Sequence, residues 1–126
     1  MRAFRFGYQL PSSVDAGELR SHAQRAEAAG FDIVHTADHV GDGWPPLAPL
    51  VAVAEATQHI RVGTLVLNND FHHPVLLAHE IAAIDRLTGG RVELGLGAGH
   101  SFTEYAAHGI PSMLRRRARR AWRRRS

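Results

Sequence analysis

Residues 60–99 read IRVGTLVLNNDFHHPVLLAHEIAAIDRLTGGRVELGLGAG. Ile60 to about Leu67 is a β-branched apolar run that breaks at Asn68-Asn69-Asp70. His73-Pro74 then opens a helical pattern with Leu77, Ile81, Ile84 and Leu87 on one face. Gly89-Gly90 ends that helix, and Arg91 to Leu96 forms a second apolar run that closes in alternating glycines. The order strand, polar loop, helix, tight turn, strand is a βαβ unit. Crossovers of this kind are right-handed in nearly all cases.

The residues before this unit repeat its grammar. Phe4 to Leu10 alternates and carries aromatics, which predicts a first strand. Asp15 with Glu18 three places on forms a capping box, followed by Leu19, Ala23 and Ala26 on one helical face. Gly30 supplies a left-handed stop, and Phe31 to Thr36 reads as a second strand. After the polar loop ADHVGDGW, Pro45-Pro46 is expected to open another helix, with Leu47, Leu50, Val51 and Ala54 as its apolar face. About four parallel strands and three helices result. Loops entering strands are short, whereas those leaving them are longer and polar. In parallel α/β folds, ligands sit beyond the carboxyl ends of the strands. That rule gathers Gln9, Asp38, His39, Asn68, Asn69 and His100 into one candidate site.

Composition narrows the class. The chain has 126 residues, 44% of them hydrophobic, which suits one globular domain. The opening MRAFRFGYQL is too short and too polar for a leader or a membrane span. The absence of cysteine excludes disulfides and thiolate metal sites, so a cytoplasmic location is the default expectation. All 15 basic residues are Arg, and eight of them lie between Arg115 and Arg125. The first 114 residues hold the other seven against all 12 acids, a net of −5, and the end of the chain carries +8. The basicity is therefore one terminal block and not a patch spread over a folded surface.

The segments AEAAGFDIVHTADH, GTLVLNNDFHHPVLLAHEIAAIDRLTGGRVELGLGAG and EYAAHGIP together resemble the N-terminal half of a bacterial luciferase-like monooxygenase, most closely the branch that uses the deazaflavin coenzyme F-420. The resemblance covers Phe4 to Pro111. It implies the first half of a TIM (β/α)8 barrel, a fold that takes about 250 residues in full. It also implies a homodimer, a small-molecule substrate, and hydride transfer with F-420, or oxygen activation on FMN as the alternative. By position, Asp38 and His39 would line the coenzyme ring, with His39 in proton or hydride-stage chemistry and Trp44 close by. Leu65-Val66 matches a non-prolyl cis peptide that backs the ring, and Asn68 would contact the coenzyme. Gly97-Ala98-Gly99 would let main chain approach it. His100 stands where sugar-phosphate dehydrogenases of the superfamily have a carboxylic acid. That departure argues against a sugar phosphate and leaves the imidazole as a candidate acid.

Other readings of the same residues are weaker. Nine histidines suggest a metal, but His73 and His79 are six apart and not the four that aligns two ligands on a helix, so no metal is expected. His22 and His59 are expected at the surface. Gly95-Leu96-Gly97-Ala98-Gly99 lacks the third glycine spacing and the later acid of a dinucleotide fingerprint. Asp38 could fix the tautomer of a histidine, and Asn68-Asn69-Asp70 fits plain turn chemistry as well as coenzyme contact.

The division of the chain is read as a partial barrel over residues 1–111 and an Arg-rich tail over 112–126. The tail, SMLRRRARRAWRRRS, cannot bury a core face. It predicts a changed reading frame or a truncation near Pro111-Ser112. A genuine tail would instead contact nucleic acid electrostatically, on a half-barrel that self-associates through its open edge strands.

Overall fold

The computed structural model describes residues 4–41 and 43–111. The Arg-rich segment, and with it the expectations of a changed reading frame and of nucleic-acid contact, lies outside the described residues.

Strand β1 (Gly7–Gln9), helix α1 (Ala16–Ala28), strand β2 (Ile33–Thr36), helix α2 (Ala48–Glu55) and strand β3 (Arg61–Thr64) follow in turn. Strand β4 (Leu67–Asn68), a 3-10 turn (Asn69–Phe71), helix α3 (Pro74–Leu87), strand β5 (Val92–Glu93), strand β6 (Leu96–Gly97) and helix α4 (Phe102–Ala107) complete the order. The main sheet runs β1-β2-β3-β5, all parallel, and β4 pairs with β6 in a separate parallel ladder. The half-barrel expectation holds in outline with three corrections. The third and fourth strands are each broken in two. A fourth, short helix follows the last strand. The second helix begins at Ala48, with Pro49 in its first turn. Pro46, ahead of it, uses its carbonyl to accept the Thr36 hydroxyl at 2.8 Å.

Helix α1 starts where the capping box places it. The Asp15 carboxylate accepts from the Gly17 and Glu18 amides at 2.7 and 2.9 Å, and Glu18 accepts in return from the Asp15 amide at 3.4 Å. Leu19, Ala23 and Ala26 are buried, as their spacing requires. They meet Val34 and Val62 of the sheet, together with Leu50, Val53 and Ala54 of α2, in one core. Val34, Leu50, Val53 and Val62 are wholly buried. Each such side chain withdrawn from water contributes about 1.5–3 kcal/mol. Leu77 and Ile84 of α3 join this core. Leu87 does not: it is the last residue of the helix and 69% exposed. His22 also departs from expectation, because it is part-buried and its Nδ1 lies 2.7 Å from the Tyr8 hydroxyl.

Two side chains tie the loops at the N-terminal end of the sheet. Glu27 accepts from the main-chain amides of Gln58, His59 and Ile60, at 2.6 to 3.1 Å, and so joins α1 to the loop entering β3. The Arg91 guanidinium donates to the carbonyls of Ala54, Ile60 and Thr88, joining the ends of α2 and α3 to the fourth strand.

Partial burial raises the Glu27 pKa, but the three amides together outweigh it and hold the carboxyl below its ordinary value. A depressed carboxyl stabilises the fold above its unfolded pKa, and that stabilisation is lost as pH falls through the folded value. Glu27→Ala leaves three amides without their acceptor and is expected to destabilise the chain by about 1–3 kcal/mol at neutral pH. Amide hydrogen exchange at Gln58, His59 and Ile60 should accelerate in this variant, and the difference from the parent should shrink on acidification.

Candidate functional site

The parallel strands set all their carboxyl ends on one side, and there a cleft of about 310 Å³ opens. The segment after β2 contributes Ala37, Asp38 and His39. The junction of β3 and β4 contributes Leu65, Val66 and Asn68. The chain leaving β6 contributes Gly97 to Ser101, and α4 contributes Glu104. Nine of the twelve residues marked by the sequence and its resemblance (Asp38, His39, Leu65, Val66, Asn68, Gly97, Ala98, Gly99 and His100) thus line one cavity. The Leu65–Val66 peptide is cis, as the resemblance implied. Leu65 is 56% exposed and Val66 39%, so apolar surface faces the opening.

Three residues fall elsewhere. Gln9 is on β1, an edge strand two places from β3, and does not reach the cleft. Asn69 opens the 3-10 turn and lines a separate apolar groove of about 490 Å³ between α3 and the β5–β6 chain. Trp44 donates its indole N–H to the Val14 carbonyl at 2.7 Å, and it lines a neighbouring cleft of about 240 Å³ that shares His39 with the first. Among the described residues no group of three or more His, Asp or Glu is placed to hold a metal ion.

Asp38 and His39 are adjacent, but each pairs with a different element. Asp38 Oδ2 accepts from the Asn68 main-chain amide at 2.9 Å and from His72 Nε2 at 2.9 Å, with its side chain 6% exposed. This carboxylate ties the end of β2 to the chain leaving β4, and the histidine it orients is His72 rather than His39. His39 Nδ1 instead meets Glu104 Oε1 at 2.7 Å. Its ring lies edge-to-face with that of His100, centroids 5.7 Å apart.

Asn68 is buried, and its Oδ1 accepts from the Asp70 amide at 3.1 Å, so the turn reading of this residue holds. The same oxygen accepts from the Tyr105 hydroxyl at 3.0 Å, and that hydroxyl also lies 3.0 Å from an Asp70 carboxylate oxygen. The Tyr105 ring packs on Phe71. Tyr105 therefore fixes α4 against the 3-10 turn. Gly99, at φ +74°, passes between them: a Cβ there would run into the Tyr105 hydroxyl and the Asn68 amide. Gly97 is similarly crowded, since a Cβ would stand 2.5 Å from Val66 Cγ2. These glycines let the chain approach itself as well as the cavity.

Glu104, Tyr105 and His72 escaped the sequence reading as site residues. Glu104 and Tyr105 open the quoted segment EYAAHGIP, but nothing in their spacing announces partners some 35 to 65 positions back.

Comparison with known proteins follows the same outline. A family model described as luciferase-like monooxygenase matches residues 2–123. A 4-hydroxyprotoasukamycin monooxygenase of Streptomyces nodosus subsp. asukaensis is 34% identical over 100 residues, covering 75% of this chain and 27% of its own length. An F-420-dependent glucose-6-phosphate dehydrogenase of Amycolatopsis mediterranei is 38% identical over 100 residues, covering 73% of this chain and 30% of its own. The coenzyme F-420-dependent tetrahydromethanopterin reductase of Methanopyrus kandleri superposes with a TM-score of 0.77 at 27% identity, over 85% of this chain and 30% of that one. The chain spans about a third of the length of the curated relatives it matches.

Burial raises the Tyr105 pKa, and the Asp70 carboxylate adds to the rise against the opposing hydrogen bond with Asn68. The neutral phenol is the form the fold favours. Its contribution is complete below the ordinary tyrosine pKa and is lost as pH rises through the raised value. Alkaline difference absorbance should therefore show Tyr105 ionising above the ordinary range, and Tyr105→Phe should remove that transition. The same variant should destabilise the chain by about 1 kcal/mol through the lost hydrogen bond.

Proposed function

The chain belongs to the luciferase-like monooxygenase family, whose model spans nearly all of it, and on that premise we propose that it forms the ring-binding part of an oxidoreductase using the deazaflavin coenzyme F-420, with FMN as the alternative. The observation that carries this reading is the convergence of nine of the twelve marked residues on one cleft at the carboxyl ends of parallel strands. The cleft's 310 Å³ lies at the lower end of the roughly 300–1,000 Å³ of small-molecule sites, which suits a planar ring better than a whole coenzyme with its tail.

The donor set fits such a ring. Leu65 and Val66 offer apolar contact to a ring face, while Gly97 to Gly99 bring main chain rather than bulky side chains to the wall. When bound, the coenzyme supplies hydride chemistry at its ring. The protein's own part is to orient that ring and to manage a proton. Asp38 and Asn68 hold the ends of the second and third strands in place, and His39 and His100 are the imidazoles able to hold or pass a proton at the cleft. An imidazole at position 100 sets the chain apart from the carboxylic acid of the sugar-phosphate enzymes, so the reading extends to a small-molecule substrate of another class. A homodimer and a cytoplasmic location belong to the same reading. Among the described residues no helix is long and apolar enough to cross a membrane.

Titration of the 126-residue chain with oxidised F-420, and separately with FMN, tests the proposal through the fluorescence of each ring. The expected result is a saturable change with F-420 at lower concentration than with FMN. Val66→Asp, which puts a charge on the apolar wall, should weaken binding about tenfold or more. Tighter binding of FMN would reverse the choice of coenzyme. An unchanged spectrum with both would overturn the reading of this cleft.

A further inference from the structure

Glu104 sits in the first turn of α4, and its Oε1 lies 2.7 Å from Nδ1 of His39. The Glu104 side chain is 18% exposed and that of His39 54%, so the carboxylate is tucked behind an imidazole that faces the opening. A carboxylate only accepts hydrogen bonds, which places the proton on Nδ1. In the neutral ring, Nε2 then carries the free lone pair. Nε2 makes no hydrogen bond among the described residues. Asp38, the neighbouring carboxylate, is committed to His72 and the Asn68 amide and does not compete for this ring.

The helix carrying Glu104 is itself held in place. Tyr105, the next residue, is anchored to Asn68 and Asp70 and packs on Phe71. The edge-to-face contact with His100 limits His39 from another direction. An imidazole this exposed would otherwise sample several rotamers and both tautomers.

We propose that Glu104 is a positioning residue: it holds His39 in the Nδ1–H tautomer and leaves Nε2 as a proton acceptor at the cleft. The acceptor role rests on the oxidoreductase reading above, whereas the tautomer itself does not.

Long-range proton–nitrogen correlation spectra of the histidine-labelled 126-residue chain, at a pH where the ring is neutral, read the tautomer directly. His39→Gln identifies the signal. The expected spectrum shows a protonated Nδ1 and an unprotonated Nε2 at His39. Glu104→Leu should shift the ring to the Nε2–H form that free histidine favours, and Glu104→Gln, whose amide oxygen still accepts, should restore the Nδ1–H form. If Glu104→Leu does not give a dispersed amide spectrum, Glu104→Ala carries the same comparison. An Nε2–H ring in the parent chain, or an Nδ1–H ring that persists without the carboxylate, would overturn the proposal. The coenzyme titration of the parent chain is run beside it as an independent readout. If the tautomer follows Glu104 but neither coenzyme binds the parent chain, the positioning is supported and the functional reading falls by itself.

Discussion

The hydroxyl of Thr64 holds the point on which the site depends. It accepts from the Gly95 amide at 3.1 Å and lies 2.9 Å from the Gly95 carbonyl, to which it donates, so one side chain serves both main-chain groups of the residue opposite. The Leu67 amide donates to the same carbonyl at 2.8 Å, after which β4 and β6 resume pairing. A break in a parallel ladder normally leaves buried donors and acceptors unsatisfied, and each such group carries a penalty of about 1–3 kcal/mol. Thr64 removes that penalty. The Leu65 amide keeps its bond to the Thr36 carbonyl of β2 at 2.8 Å, and the Leu65 and Val66 side chains line the cleft.

Close approach of the third and fourth strands is the other half of this arrangement. A Cβ at Gly63 would meet the Glu93 carbonyl oxygen, and one at Gly95 would meet the Thr64 carbonyl oxygen. Glycine at both positions lets two main chains pass at a distance no side chain would allow. The glycine-rich run from 95 to 99 is thus explained first by the protein's own packing, against Thr64, Val66, Asn68 and Tyr105 in turn. A ligand beside this run meets a wall already shaped by intramolecular crowding.

Local signals were legible and non-local ones were not. The capping box of Asp15 and Glu18, the stop at Gly30 and the proline start of α3 all act within one helical turn, so sequence spacing reports them directly. The placement of Asp38, His39, Asn68 and His100 at one end followed from loop lengths and the direction rule for parallel strands. The broken strands were invisible because an alternating apolar pattern does not reveal when a hydroxyl replaces a ladder bond. Leu87 continues the helical stripe of α3 on paper, yet at the helix terminus nothing among the described residues covers it. The partners of Asp38 and His39 were hidden for a related reason. Successive side chains on an extended segment point in different directions, so the adjacent acid and base serve different neighbours.

The two ends of the sheet do different physical work, and that division explains where chemistry is left over. At the N-terminal end, Glu27 and Arg91 spend their hydrogen-bonding capacity on main-chain groups of the connecting loops, which fixes the strands relative to one another. At the C-terminal end, most polar groups are also consumed internally: Asp38 by His72 and Asn68, and Asn68 by Asp70 and Tyr105. A site built this way is rigid because its own polar atoms are satisfied before a ligand arrives. Among the described residues, the cleft presents an apolar wall, the main chain of Gly97 to Gly99 and two imidazoles, one of them braced by a carboxylate. An apolar wall binds a ring without transferring anything to it. In the function proposed for this cleft, the proton passes by His39 and His100, and its direction depends on which nitrogen of His39 the fold leaves free.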